Sequence, residues 1–182
     1  MDHDDHVRLI REGVEGTGAT WADLGSGSGA FTLALAEVLG PACVIHSVDR
    51  DSGALRAQAD AVRRRFPATI LRQHAADFTR PLDLPTLDGV VMANSLHFVR
   101  DKRPVLELLR PYLRPDGHLV LVEYDTDDGN PWVPHPLSLS TWQSLAEAAG
   151  FVGTRELGRV PSRFLGAIYS AVSRVPVGTP SP

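Results

Sequence analysis

The sequence predicts an α/β fold: a mostly parallel sheet covered by helices on both faces, with one antiparallel strand near the C-terminus. Three observations lead there. Short apolar runs alternate with stretches of helical periodicity through most of the chain, the pattern of βαβ units. The run Trp21-Ala-Asp23-Leu ends in an acid and opens onto Gly25-Ser-Gly27-Ser-Gly29, after which Phe31, Leu35, Val38 and Leu39 recur at helical spacing. This is strand, tight glycine turn, helix. Finally, two apolar runs near the C-terminus follow each other without a helix between them, which makes a closing hairpin and reverses one strand.

The elements follow in order. Val7, Leu9, Ile10 and Val14 mark a short amphipathic helix before the first strand. Val44-Ile-His-Ser-Val-Asp49 is the second strand. The next helix spans 52–66, with Leu55, Ala59, Val62 and Phe66 as its apolar stripe, Arg63, Arg64 and Arg65 at the end its dipole makes favourable to cations, and Pro67 as its stop. Residues 68–74 form the third strand and 88–94 the fourth, joined by the proline-punctuated stretch 81–85. Asp101 and Pro104 open another helix, with Val105, Leu108, Leu109 and Leu113 inward. Arg114-Pro-Asp-Gly117 has turn composition, and 118–124 is the fifth strand. Ser140 caps the last helix, Gln143 completes a capping box, and Gly150 suits the left-handed position past its end. The runs 152–157 and 164–172 close the sheet as a hairpin turning near Pro161.

The 182 residues suit one domain, expected over 1–175, with a proline-rich, disordered tail at 176–182. A net charge of −4 argues against a nucleic-acid partner, because phosphate contacts reward a basic surface. No apolar run reaches membrane-spanning length, so no membrane partner is expected. The opening Met1-Asp-His-Asp-Asp-His is polar and acidic rather than a signal peptide, which makes the cytoplasm the default location. The single cysteine, Cys43, cannot form an intrachain disulfide and is expected as a small buried hydrophobe.

Chemistry concentrates at the ends of the strands. Glycines at 25, 27 and 29 let backbone N–H groups approach a ligand. Asp49 closes the second strand 20 residues beyond Gly29, where a βαβ nucleotide fold holds its ribose-binding acid; it is equally placed to cap the 52–66 helix. The spacing Gly25-x-Gly27-x-Gly29, with Asp23 two residues before the first glycine, departs from the Gly-x-Gly-x-x-Gly dinucleotide fingerprint. It resembles the first motif, (D/E)-x-G-x-G-x-G, of class I S-adenosylmethionine-dependent methyltransferases. The segment Asn94-Ser-Leu-His97-Phe, followed by Val105-Leu-Glu-Leu-Leu-Arg110-Pro-Tyr-Leu-Arg-Pro115-Asp-Gly117-His-Leu-Val-Leu-Val-Glu123, is similar to a block of that family's small-molecule branch, which includes the ubiquinone and menaquinone methyltransferases. The order of elements from about residue 5 to 173 matches that family's Rossmann-like three-layer sandwich with a seven-stranded sheet.

The resemblance implies S-adenosyl-L-methionine as cofactor, S-adenosyl-L-homocysteine as product, and a division of labour among named residues. Gly25, Ser26, Gly27 and Gly29 form the turn under the methionine and ribose. Asp23 places the ammonium, directly or through water, or caps the turn. Asp49, followed by Arg50, accepts from the ribose hydroxyls. Asp77 and Phe78 flank the adenine, and Asn94 lies near the methionine end. Methyl transfer needs little acid–base work when the acceptor is already reactive, so no fixed triad is expected. His97, just after the fourth strand, is the candidate to orient or deprotonate the acceptor, or it is a packing residue. Glu123, Tyr124 and His135 are further candidates on the same rim. The acidic run Asp125-Thr-Asp127-Asp128-Gly129 fits no EF-hand, and Asn94 stands where a catechol-type metal site needs an acid, so no metal is expected. Residues 125–137, with Trp132 at their centre, are expected as a flap over the acceptor.

The leading reading is methylation of a small-molecule acceptor. Methylation of a protein or RNA, and binding of S-adenosylmethionine without catalysis, are the alternatives. About 20 residues precede the glycine turn and no cap domain interrupts the fold, so an open mouth admits a large acceptor or a second copy of the chain as a lid, a homodimer.

Overall fold

The computed structural model describes residues 1–162 and 164–178. Residues 179–182 of the expected tail lie outside the described residues. The chain runs α1 (His3–Val14), β1 (Thr20–Leu24), α2 (Ala30–Leu39), β2 (Val44–Asp49), α3 (Ser52–Arg65), β3 (Ile70–Ala75), β4 (Leu87–Ala93), α4 (Arg103–Leu109), β5 (Leu113–Tyr124), α5 (Leu139–Ala148), β6 (Val152–Ser162) and β7 (Gly166–Arg174). Seven strands form one sheet in the order β3-β2-β1-β4-β5-β7-β6. The first five pair in parallel, while β7 runs antiparallel between β5 and β6. This is the predicted Rossmann-like α/β sandwich with its reversed C-terminal strand.

Strand alternation builds two apolar layers. Ala22, Leu24, Val90, Met92, Leu119 and Leu121 face one way, against Leu106 and Leu109 of α4 and Trp142 and Ala146 of α5. Trp21, Val91, Val120 and Val122 face the other way, against Val7, Ile10 and Val14 of α1 and Phe31 and Leu35 of α2. Cys43 is buried in that second layer. Helix α1 starts with a capping box, in which Asp2 accepts from the Asp5 N–H and Asp5 accepts from the Asp2 N–H.

Three local expectations are corrected. Ser138, not Ser140, caps α5: its hydroxyl accepts from the Thr141 N–H and is itself held by Asp127, a partner eleven residues away. Gly150, at φ 81°, does take the left-handed position past that helix. Arg114–Gly117 is a bulge within β5 rather than a turn, since pairing with β4 shifts from Leu87↔Leu113 to Gly89↔His118 and Asp116 sits at φ 61°. The hairpin turns beyond Ser162, with Pro161 inside β6 opposite Ala167.

The order reverses between β1 and β4, so the carboxyl ends of these two strands diverge and open a crevice. The residues that follow them, Gly25 on one side and Asn94 and Ser95 on the other, line it.

Candidate active site

The glycine turn is shaped mainly by the protein itself. The N–H groups of Gly25 and Ser26 both donate to the carbonyl of Val48 at the end of β2 (2.8 and 3.1 Å). The Gly27 N–H donates to Asp49 Oδ2 at 2.7 Å. A Cβ on Gly29 would lie 2.4 Å from Gln58 Cγ, whereas one on Gly27, at φ 51°, would meet nothing within 4 Å. Gly29 is therefore demanded by packing. Gly27 faces open space beside the cleft, and its φ of 51° suits glycine.

Beside the turn lies a cleft of about 290 Å³ lined by Gly25, Asp49, Arg50, Asp77, Phe78, Asn94 and Phe98, among others. Six of the expected cofactor residues thus share one wall. Asp49 keeps acceptor capacity. Its Oδ1 takes the Asp51 N–H (2.8 Å) and its Oδ2 the Gly27 N–H, and each oxygen retains a lone pair. The cap of α3 falls to Asp51, whose carboxylate accepts from Gly53 and Ala54, so Asp49 is not its N-cap. Asp77 uses Oδ1 on the N–H and hydroxyl of Thr79, which hold its carboxyl below the usual carboxylate range; Oδ2 has only the loosely placed Arg50 at 3.8 Å. Asn94, at φ 51°, has a buried Oδ1 with no hydrogen-bond partner. A buried acceptor without a donor is costly, and the ammonium of a methionine moiety is a suitable donor. Open space over Gly27, the orphaned Asn94 Oδ1 and the free acceptor sites of Asp49 and Asp77 fit S-adenosylmethionine.

Asp23 stands apart. It is buried behind the turn rather than lining the cleft, and it ends a chain of hydrogen bonds that the sequence reading missed. Ser26 Oγ meets Ser47 Oγ (2.9 Å), Ser47 donates to Gln58 Oε1 (2.5 Å), Gln58 Nε2 donates to Thr32 Oγ1 (2.6 Å), and Thr32 donates to Asp23 Oδ2 (2.5 Å). With Ser26 donating to Ser47, every donor points toward the Asp23 carboxylate, the arrangement in which successive bonds reinforce one another. Burial pushes the Asp23 carboxyl up to about 7, Thr32 opposing and Asp49 adding to the rise. The one available signal was Gln58, a polar residue three positions after Leu55 on the buried stripe of α3.

His97 lies in a short 3₁₀ turn after β4 and does not line the cleft; Phe98, which does, packs on its ring at 4.3 Å. The His97 Nδ1 lies 2.9 and 3.0 Å from the two carboxylate oxygens of Glu123, and the His97 N–H donates to the same carboxylate. Both side chains are buried. A carboxylate on Nδ1 fixes the proton there and leaves Nε2 with its lone pair, and no described residue bonds Nε2. His135 contributes its backbone, donating to the His97 carbonyl. Lys102 Nζ bridges the carbonyls of Val99 and His135 (3.0 and 2.8 Å), tying the turn that carries His97 to the 125–138 loop. That loop is pinned further by Asp125 on the Leu139 N–H and by Asp127 on Ser138 and Thr141, and it buries Val133, Pro136 and Leu137. Trp132 at its tip is 72% exposed, so it does not anchor the loop to the core. Among the described residues no group of three or more His, Cys, Asp or Glu could hold a metal ion, and no helix is long and apolar enough to cross a membrane.

Comparison with known proteins agrees with this geometry. The model of a methyltransferase domain matches residues 22–119. A region of 101 residues is 26% identical to a highly reducing polyketide synthase of Calcarisporium arbuscula, covering 44% of this chain but only 4% of that protein's length. The fold superposes on the N-methyltransferase NodS from Bradyrhizobium japonicum in complex with S-adenosylhomocysteine (TM-score 0.72, 21% identity, 96% of this chain and 85% of that one). It also superposes on the 1,6-didemethyltoxoflavin N1-methyltransferase of Burkholderia thailandensis, crystallised with its substrate and S-adenosylhomocysteine (TM-score 0.73, 18% identity, 96% and 78%). The chain belongs to the methyltransferase domain family.

Proposed function

We propose that this protein belongs to the small-molecule branch of its family and methylates an acceptor whose nucleophilic atom gives up a proton to His97. The observation that supports this is the buried His97–Glu123 pair, set one ring away from the cofactor cleft. S-adenosylmethionine supplies an electrophilic methyl group when bound. Asp49, Asp77 and Asn94 hold its ribose, adenine and methionine parts, and Gly27 lets it lie against the turn.

The chain's own chemistry concerns the acceptor. Glu123 keeps the imidazole in the tautomer with a free Nε2, and stabilises the imidazolium once Nε2 takes a proton. Such a pair is superfluous for an acceptor that is already a free nucleophile. It matters for a phenol, a ring N–H or an enolisable carbon acid, where deprotonation makes the lone pair available. Positioned general bases contribute roughly 10²–10⁴-fold.

The test is S-adenosylhomocysteine release measured across a panel of small phenols, N–H heterocycles and 1,3-dicarbonyls. His97→Gln and Glu123→Gln should lower kcat by about a hundredfold or more with unchanged affinity for S-adenosylhomocysteine. Full turnover in His97→Gln removes the base role.

A further inference from the structure

A row of aromatic side chains, exposed at its two ends, runs from the cofactor cleft through His97 to the edge of the sheet. Phe98, on the turn after β4, is 61% exposed although it is a large apolar residue. Its ring touches His97 at 4.3 Å between centroids. On the other side of His97 lies Tyr124, the last residue of β5, at 5.9 Å. Tyr124 in turn meets Phe164, in the turn joining β6 to β7, at 6.3 Å. Phe164 is 52% exposed. The two longer spacings fall within the range in which aromatic rings interact, and the first is close ring contact. Four rings from two connections and the end of β5 thus form one row, with the base in it and the cofactor cleft at the Phe98 end.

Only the two ends of the row, Phe98 and Phe164, stand in water, and they are joined through buried His97 and half-buried Tyr124, so that one continuous aromatic surface opens at both ends. Two further facts narrow the occupant. The Tyr124 hydroxyl donates to no described residue, and burial together with Glu123 holds its phenol above the ordinary range, so it stays a neutral donor. Arg159, on the adjoining strand β6, is paired with both Asp125 and Glu156.

We infer that the row Phe98–His97–Tyr124–Phe164 is the acceptor site, and that it selects a planar, uncharged, conjugated molecule of bicyclic size carrying an oxygen that Tyr124 can hydrogen-bond. This rests on the reading of His97 as the base. The base dictates an acidic proton on the acceptor, and the row dictates its shape. Phe98 and Phe164 stack on its faces or edges, Tyr124 orients its oxygen, and the atom to be methylated is presented between His97 and the cleft.

The probes are 1,3-dihydroxynaphthalene, which is planar and uncharged, 2-decalone, which is of similar size but puckered, and 6-hydroxy-2-naphthoate, which is planar but anionic. Binding is measured by calorimetry to the protein saturated with S-adenosylhomocysteine. The expected order is dihydroxynaphthalene tightest, by about tenfold over each of the other two. Phe164→Ala, at an exposed position that folding does not depend on, should weaken it by about five- to tenfold while S-adenosylhomocysteine affinity stays the same. Tyr124→Phe should weaken it by about fivefold. Equal binding of all three probes, no binding of the dihydroxynaphthalene, or binding indifferent to both substitutions overturns the inference. So does finding that Phe164→Ala abolishes a dimer instead, which would give the row to a second copy of the chain. The base is tested separately. In His97→Gln, dihydroxynaphthalene should still bind while its methylation falls. Undiminished methylation there refutes the base and leaves the shape preference standing.

Discussion

Replacing Asp23 with asparagine should make the ligand-free protein more stable at mildly alkaline pH and a poorer binder of its cofactor. Asp23 is 1% exposed, and its carboxyl is pushed up to about 7 from 3.8. The native state therefore keeps a proton that the unfolded chain releases between these values. The unfolded state is favoured as pH rises through that window, and the cost is complete above about pH 7. A shift of about three units corresponds to about 4 kcal/mol. In Asp23→Asn the side-chain amide still offers Thr32 an oxygen but carries no charge, so the hydrogen-bonded chain to Ser26 keeps its terminus. Urea denaturation should show the variant's gain rising from about 1–2 kcal/mol at about pH 5 to about 4 kcal/mol at about pH 8. Calorimetry at the higher pH should show S-adenosylhomocysteine binding weakened by about tenfold if the charge buried behind the turn acts across it on the ligand's ammonium. A stability difference that does not change with pH would refute the reasoning, since only the titration of Asp23 makes it pH-dependent.

Asp49→Ala removes the proposed ribose acceptor and also frees the Gly27 N–H; calorimetry should show S-adenosylhomocysteine binding weaker by about 2–3 kcal/mol, and unchanged binding would take Asp49 out of the site. Lys102→Met keeps the aliphatic stem but strips the donors from the Val99 and His135 carbonyls; it should cost about 1–3 kcal/mol in urea denaturation and lower kcat more than it changes cofactor affinity. His46 is buried against His74, and burial, then His74 and Arg72, hold its imidazole below the ordinary value. Its contribution to stability is full above about pH 6.5 and lost as pH falls below that, so His46→Gln should flatten the acid side of the stability profile.

Much of the fold was legible because its signals are local. The alternation of Val90, Val91 and Met92 and the glycines after Asp23 need no distant partner to be understood. That Asp49 and Asp77 share one cleft was legible for the same reason, since they owe their place to strand ends and the sheet order brings those ends together. What escaped depends on partners far along the chain. Gln58 occupies a stripe position of α3, and only the fold shows that it faces Thr32 and Ser47 instead of a hydrocarbon core. The bond between His97 and Glu123 joins residues from two different connections, although each was a candidate alone. The α5 cap was misplaced because Ser138 and Ser140 have the same side chain, and Asp127, which decides between them, lies in the preceding loop. Arg114–Gly117 has the composition of a turn, yet pairing of Leu113 and His118 with β4 on one side, and Val175 bonded to Asp116 and Gly117 on the other, keep it within the sheet as a bulge.

The central claim is that the cleft between the glycine turn and Asn94 holds S-adenosylmethionine with its transferable methyl group toward His97. A crystal structure of the protein with S-adenosylhomocysteine tests this most directly. It should show the ribose on Asp49, the adenine between Asp77 and Phe78, the amino group on Asn94 Oδ1, and the sulfur facing the side of the cleft where Phe98 and His97 lie. A ligand bound elsewhere, or one whose sulfur faces away from His97, would contradict it.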